Sequence, residues 1–206
     1  MTEEKKLVII GASGHGKVVA DIGKKCGYCE IVFLDDDITK KECGDYPVVG
    51  TSRDVCQFKD WEIIIAIGNA KVRRQMQQAL SNDGFRMATL VHPQAVIGEN
   101  VTIGTGSVVM AGAVVNPSSC IGVGCIINTC ASVDHDCILS DYVHISVGAH
   151  VAGTVTIGEG TWIGAGATVS NNVNITGECM IGAGAVVVQD IKEIGTYVGI
   201  PARKSK

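Results

Sequence analysis

Residues 131–150, ASVDHDCILSDYVHISVGAH, hold three of the chain's five histidines together with Asp134, Asp136, Asp141 and Cys137. Imidazole beside a carboxylate serves proton transfer at neutral pH, with the acid holding the ring, and several imidazoles together serve a divalent metal. A nearby thiol adds a third chemistry, covalent transfer through its sulfur. Spacing begins to separate the three. His144 and His150 are six residues apart, whereas His135 is out of phase with both.

A repeat positions these residues. Every sixth residue from Val91 to Val187 is Val, Ile or Leu, and the rule holds through the polar stretch at Val133, Leu139 and Ile145. Two residues before each stands a small or branched residue, as in Ala113, Ser119, Cys125, Ala131 and Cys137. A six-residue unit is too short for a helical repeat but suits one flat β-face and a turn, and three faces close a triangular coil of about 18 residues. The span accommodates about five coils, a prism roughly 25 Å long at ordinary strand spacing. The apolar residues stack inward as ladders, and the polar groups of 131–150 hang on the outside. Gly or Asn often follows the ladder residue directly, as at Gly98, Gly104, Asn116 and Gly122, and is expected to give the corners their backbone freedom. His144 and His150 then fall on different faces of one coil. Strand alternation would let at most one of Asp134 and Asp136 reach His135. Cys137 takes an inward register and Cys130 a corner.

The first ninety residues read differently. KLVIIGASGHGK (6–17) is a buried strand, a glycine turn and a helix start, EIVFLDDD (30–37) a second strand ending in acids, and EIIIAIGNA (62–70) a third strand leading into a helix with apolar Val72, Met76 and Leu80. The pattern is a βαβ unit within a small parallel sheet. Its first loop offers backbone N–H groups and Ser13 at a helix N-terminus, a favourable place for a diphosphate, and Asp35 and Asp36 lie where such folds meet a nucleotide's hydroxyls or base edge. Fewer than a hundred residues precede the repeats, too few for a two-halved dinucleotide domain, so one nucleotide fits better than NAD.

Composition narrows the partners. Net charge is −4 and no run of five basic residues occurs, which leaves no electrostatic footprint for nucleic acid or an anionic membrane. The longest apolar runs, such as Ile63–Ile67, are far too short to span a bilayer, and MTEEKK lacks a signal peptide's apolar core, so a cytoplasmic protein is expected. Nine cysteines, an odd number, fit reduced thiols better than a disulfide framework, and the single C-x-x-C pair at Cys26 and Cys29 has no second pair to complete a zinc site.

The order of parts, GASGHG (11–16), FLDD (33–36), IAIGNA (65–70), INTCASVDHDCIL (127–139), HISVGAHVAGTVTIG (144–158) and YVGIPARK (197–204), resembles the hexapeptide-repeat sugar O- and N-acetyltransferases, which include UDP-4-amino-sugar N-acetyltransferases of the bacillosamine type and sialate O-acetyltransferases. The resemblance implies a Rossmann-like α/β subdomain followed by a left-handed parallel β-helix, divided as a nucleotide-sugar-binding domain over 1–85, an acetyltransferase domain over 86–195 and a tail over 196–206. It implies a homotrimer using acetyl-CoA and no metal. Laid on matching positions, it makes His135 the general base and Asp136 its helper, where bacillosamine-type members carry the longer Glu. His144, Gly153, Ala165 and Ala183 match contacts to the cofactor, and Ser13, Gly14, His15, Asp35, Asp36 and Gly68 match contacts to the nucleotide-sugar. The expected reaction is acetylation of the 4-amino group of a UDP-linked deoxy-amino-sugar for surface-glycan or protein glycosylation. A sialic acid O-acetyltransferase and a GDP-perosamine-type N-acetyltransferase are the alternatives. A gamma-class carbonic anhydrase-like zinc protein, with three histidines meeting across a trimer, is the remote one.

Overall fold

The computed structural model describes residues 4–205. The chain forms two compact units, the first ending at Pro93 and the second beginning at Gln94.

The second unit is a left-handed parallel β-helix of two-residue strands. Its first face stacks Val96–Ile97, Val114–Val115, Ser132–Val133, His150–Val151, Thr168–Val169 and Val186–Val187. The second face runs from Thr102–Ile103 to Asn174–Ile175 and the third from Val108–Val109 to Met180–Ile181. Each residue pairs with the one 18 positions on, so Val115 meets Val133 and Val133 meets Val151. Every ladder residue from Val109 to Val187 is at most 3% exposed. Full burial of such a side chain contributes about 1.5–3 kcal/mol relative to leaving it in water. The prism closes on Thr196–Val198, which continues the third face beside Met180–Ile181 and folds back through Arg203–Lys204.

The corners correct one reading of the repeat. Left-handed backbone falls three residues after each ladder residue from Ile97 to Ile181, at Gly106, Gly112, Gly124 and Gly148 and also at Ser118, Cys130, Asp136, Tyr142 and Thr154, not on the glycines that follow the ladder directly. Those glycines answer a different demand, because a Cβ on Gly104 would lie 2.5 Å from the backbone of Gly122 in the next coil. Inside, hydroxyls clamp the corners. Ser119 Oγ donates to Asp134 O at 2.7 Å and accepts from Cys137 N at 3.2 Å, and Ser107 and Thr161 do the same for Gly122/Cys125 and Thr176/Cys179. The cysteines above them donate onward: Cys125 Sγ to Ser140 O and Cys137 Sγ to Ala152 O, both at 3.2 Å. Cys125 and Cys137 are thus interior residues whose thiols donate to corner carbonyls.

The first unit is a Rossmann-like sheet in the order β3-β4-β2-β1-β5-β6, with β1 at Lys5–Ile10, β2 at Tyr28–Leu34, β3 at Glu42–Cys43, β4 at Tyr46–Gly50, β5 at Glu62–Ile65 and β6 at Arg86–Met87. All its pairs except β3–β4 are parallel. Helix α1 (Gly14–Lys25) follows β1 and α2 (Ala70–Asn82) follows β5. β1 lies between β2 and β5, so the loops after these three strands gather at one sheet edge, the carboxyl-end crevice where open α/β sheets take ligands. Helix α2 turns Arg73, Gln77 and Leu80 inward, while Val72 is 38% exposed. Among the described residues no helix is long and apolar enough to cross a membrane.

Candidate active site

Asp134, His135 and Asp136 occupy a corner between the first and second faces, outside the strands that flank it. Strand alternation therefore does not govern them, yet only Asp136 touches the imidazole, while Asp134 meets the His135 backbone. Asp136 adopts φ 58°, which turns its carboxylate back so that Oδ2 lies 2.7 Å from His135 Nδ1. The shorter acid at this position is long enough. Asp134 Oδ1 accepts the backbone N–H of His135 at 2.8 Å. The hydrogen bond to Asp136 raises the His135 pKa above its ordinary 6.5, with the negative charges of both aspartates adding to it. A carboxylate can only accept, so Nδ1 carries the hydrogen and, in the neutral ring, Nε2 keeps its lone pair.

Gly153 lies one coil on from His135. A Cβ there would sit 2.6 Å from His135 Nε2, so the absent side chain leaves open the space at the ring's basic atom. Of the residues assigned to the cofactor, Gly153 alone is beside the base. Ala165 and Ala183 are stacked and exposed on a different edge, the one after the third face, where Gly184 N donates to Ala165 O at 2.9 Å. His144 stands on the third face, buried, stacked on Trp162 at 4.6 Å and with Asn128 Nδ2 3.2 Å from its Nε2. An amide nitrogen can only donate, so His144 Nε2 accepts. His150 is exposed on the first face beside Ser132 Oγ at 2.9 Å. The three histidines thus occupy an edge and two faces, and among the described residues no three metal-ligating side chains are grouped. Cys137 is buried, and that burial raises its thiol pKa and disfavours the thiolate.

In the first unit a cavity of about 350 Å³ lies at the strand carboxyl ends, with Ser13, Asp35, Asp36, Ser52, Gly68 and Met76 on its walls. Ser13 is the N-cap of α1 with its hydroxyl uncommitted to the helix, and the first turn of α1 holds no acid, so the N–H groups of that turn face the loop without a built-in counter-charge. The two acids differ. Asp35 Oδ2 accepts from Ala12 N at 2.7 Å and from Lys40 Nζ at 3.0 Å, and its Oδ1 from Asp37 N at 2.9 Å. Burial opposes its ionisation, but these bonds outweigh burial and hold its pKa below the usual carboxylate range. Asp35 therefore organises the glycine loop. Asp36 is exposed, with Ser52 N and Oγ on its Oδ1 at 2.9 and 2.7 Å. Gly14 opens α1 and His15 follows in its first turn, where burial first and the Arg73 charge second pull the imidazole down to about 4. His15 is neutral at physiological pH. Arg73, 1% exposed, donates to the carbonyls of Ile67 and Gly68 at 2.8 and 2.9 Å and fixes the loop that carries Gly68.

Sequence reasoning missed Ser52, Arg73, Asn128 and Gly153's place beside the base. Only Arg73 left a usable signal, since its spacing with Gln77 and Leu80 marks one helix face even though two of the three are polar.

Residues 6–80 match the family model of the PglD N-terminal domain. The chain is 36% identical over 112 residues to UDP-N-acetylbacillosamine N-acetyltransferase of Bacillus subtilis (strain 168), a match covering 52% of this chain and 52% of that protein. It thus aligns with about half the length of the curated relatives it matches. Among solved structures it is similar to the acetyltransferase domain of PglB from Neisseria gonorrhoeae FA1090, with 43% identity, TM-score 0.95 and coverage of 98% of this chain and 100% of that one; that domain is also known in complex with acetyl coenzyme A. PerB from Caulobacter crescentus, solved with CoA and GDP-perosamine, is 35% identical with TM-score 0.93 over 98% of this chain and 97% of its own.

Proposed function

The chain belongs to the hexapeptide-repeat sugar acetyltransferase family, and we propose that within it the protein is an acetyl-CoA-dependent N-acetyltransferase acting on the 4-amino group of a UDP-linked deoxy-amino-sugar. The observation that carries this reading is the His135–Asp136 pair, with Nε2 facing the space that Gly153 leaves open. The acceptor amine attacks the thioester carbonyl of acetyl-CoA, and one proton must leave nitrogen as the tetrahedral adduct forms. His135 Nε2 takes that proton and returns it to the departing thiolate, giving the N-acetyl sugar and CoA-SH. Asp136 holds the ring and stabilises the imidazolium formed in passing. Ser13, Gly14, His15, Asp35, Asp36 and Gly68 would meet the nucleotide-sugar, with Asp35 also holding the glycine loop and Arg73 the loop that carries Gly68. Gly153, Ala165 and Ala183 would contact acetyl-CoA through small, closely approachable surface, and His144 through its ring.

In one chain the base and the two alanines stand on different edges of the prism, which supports a homotrimer, where edges of neighbouring copies can be brought together. Nine free thiols support a reducing, cytoplasmic setting. The relatives' N-acetyl chemistry favours nitrogen over a sialic acid hydroxyl as acceptor. GDP-perosamine-type acetylation is the second reading, favoured by the likeness to PerB with that ligand. A panel of UDP-, GDP- and CMP-linked amino- and hydroxy-sugars with acetyl-CoA, read by thiol release, tests the choice. Release with the UDP 4-amino-sugar is expected, and release with CMP-sialate alone would overturn the reading.

A further inference from the structure

The corner that carries His135 is anchored from the coil before it. Asn116, one coil earlier in the same column, donates from Nδ2 to Asp134 Oδ1 at 2.8 Å, the same oxygen that accepts His135 N–H. From the interior Ser119 Oγ donates to Asp134 O at 2.7 Å. Residue 134 is therefore fixed at both side chain and carbonyl immediately before the base. One coil later the column continues as Ala152, which can make no such bridge. The other strand-to-corner bonds at this point, Asp136 N to Pro117 O and Thr154 N to His135 O, are backbone bonds that serve any corner.

We propose that Asp134, bridged to Asn116, is a positioning residue for His135, fixing the backbone that carries the ring and adding a second negative charge to the environment in which it takes up a proton. The inference rests on His135 being the base. Asp134 and Asp136 are the charged groups acting on the imidazole, and the adjoining coils present Asn116, Pro117, Gly153 and Thr154, none of them charged. Hydrogen bonds from His135 N–H and then Asn116 keep the Asp134 carboxyl below its usual range, so it is ionised wherever the enzyme works. Loss of the bridge frees the corner to move, and small displacements of a catalytic group cost turnover more than binding.

The test compares Asp134→Ala, Asn116→Ala and Asp134→Asn with the unaltered enzyme, measuring kcat, KM for both substrates and kcat against pH, with thermal unfolding in parallel. Both alanine variants are expected to lose about tenfold in kcat with KM within about twofold. Asp134→Asn keeps the accepting oxygen and removes the charge. It is expected to stay within about threefold at its optimum while its acidic limb moves to lower pH. A purely structural residue would change unfolding without moving that limb. Unaltered kcat and pH profile in both alanine variants overturns the inference, as does an Asp134→Asn variant as impaired as Asp134→Ala with an unmoved limb. His135→Ala in the same assay separates the two levels. Full activity there defeats the reading of the base, whereas its loss with unaffected Asp134 and Asn116 variants defeats this inference alone.

Discussion

One coil apart on the same edge of the prism, Asp134-His135-Asp136-Cys137 and Ala152-Gly153-Thr154-Val155 turn the chain through the same left-handed step, φ 58° at Asp136 and 60° at Thr154. The backbone is shared, and the side chains divide the work. The earlier corner carries an imidazole with an acid on each side, and the later one withdraws its side chain where the imidazole's free nitrogen points. A repeat scaffold of this kind fixes where every Cα lies, so chemistry arises from small differences between stacked positions.

Exchanging features between the two corners breaks that division. The largest effect is expected from removing the base: His135→Ala should lower kcat by about 10²–10⁴-fold in the thiol-release assay, the usual contribution of a positioned base. Filling the later corner comes next. Gly153→Ala places a methyl 2.6 Å from Nε2, and the ring must shift or the amine must be excluded, so kcat should fall by about 10–10²-fold while thermal stability changes little. The smallest effect separates scaffold from chemistry. Thr154 is a β-branched residue in left-handed backbone, and Thr154→Gly should relieve about 1 kcal/mol, a rise of roughly 2–4 °C in Tm seen by calorimetry, with turnover unchanged. The equivalent glycine at Asp136 would remove the partner of Nδ1 instead.

The same contrast explains how much the sequence revealed. The ladder from Val109 to Val187 was legible because one face of burial repeats at a fixed period, and tertiary contact in a solenoid comes from the residue 18 places away. His135 with Asp136 was legible as an imidazole beside an acid. The corner geometry was not: glycines after the ladder residues look like turn residues, yet they serve close approach between coils, while Asp136 and Thr154 take the strained conformation with no compositional sign. Treating 134–136 as strand hid the part played by Asp134. In the α/β unit no period helps. Asp35 and Asp36 are identical neighbours in sequence, and only three-dimensional contact shows that both line the cleft, one bonded to Ala12, Asp37 and Lys40 and the other exposed beside Ser52. In sequence His15 is a loop histidine matching a nucleotide-sugar contact. Its burial beside Arg73 makes it a neutral ring, a property set by residues far apart in sequence.

The central claim is that Asp136 holds His135 as a base whose proton affinity is raised by the acids around it. The dependence of kcat on pH for the unaltered enzyme and for Asp136→Asn tests this most directly. Because a folded pKa above 6.5 means that the ring gains its proton already as pH falls towards neutrality, the unaltered enzyme should lose turnover along an acidic limb above 6.5. Asp136→Asn should shift that limb to lower pH, with a loss at the optimum smaller than that of His135→Ala. An acidic limb that stays in place when Asp136 loses its charge, or an Asp136→Asn variant more impaired than His135→Ala, would contradict the account.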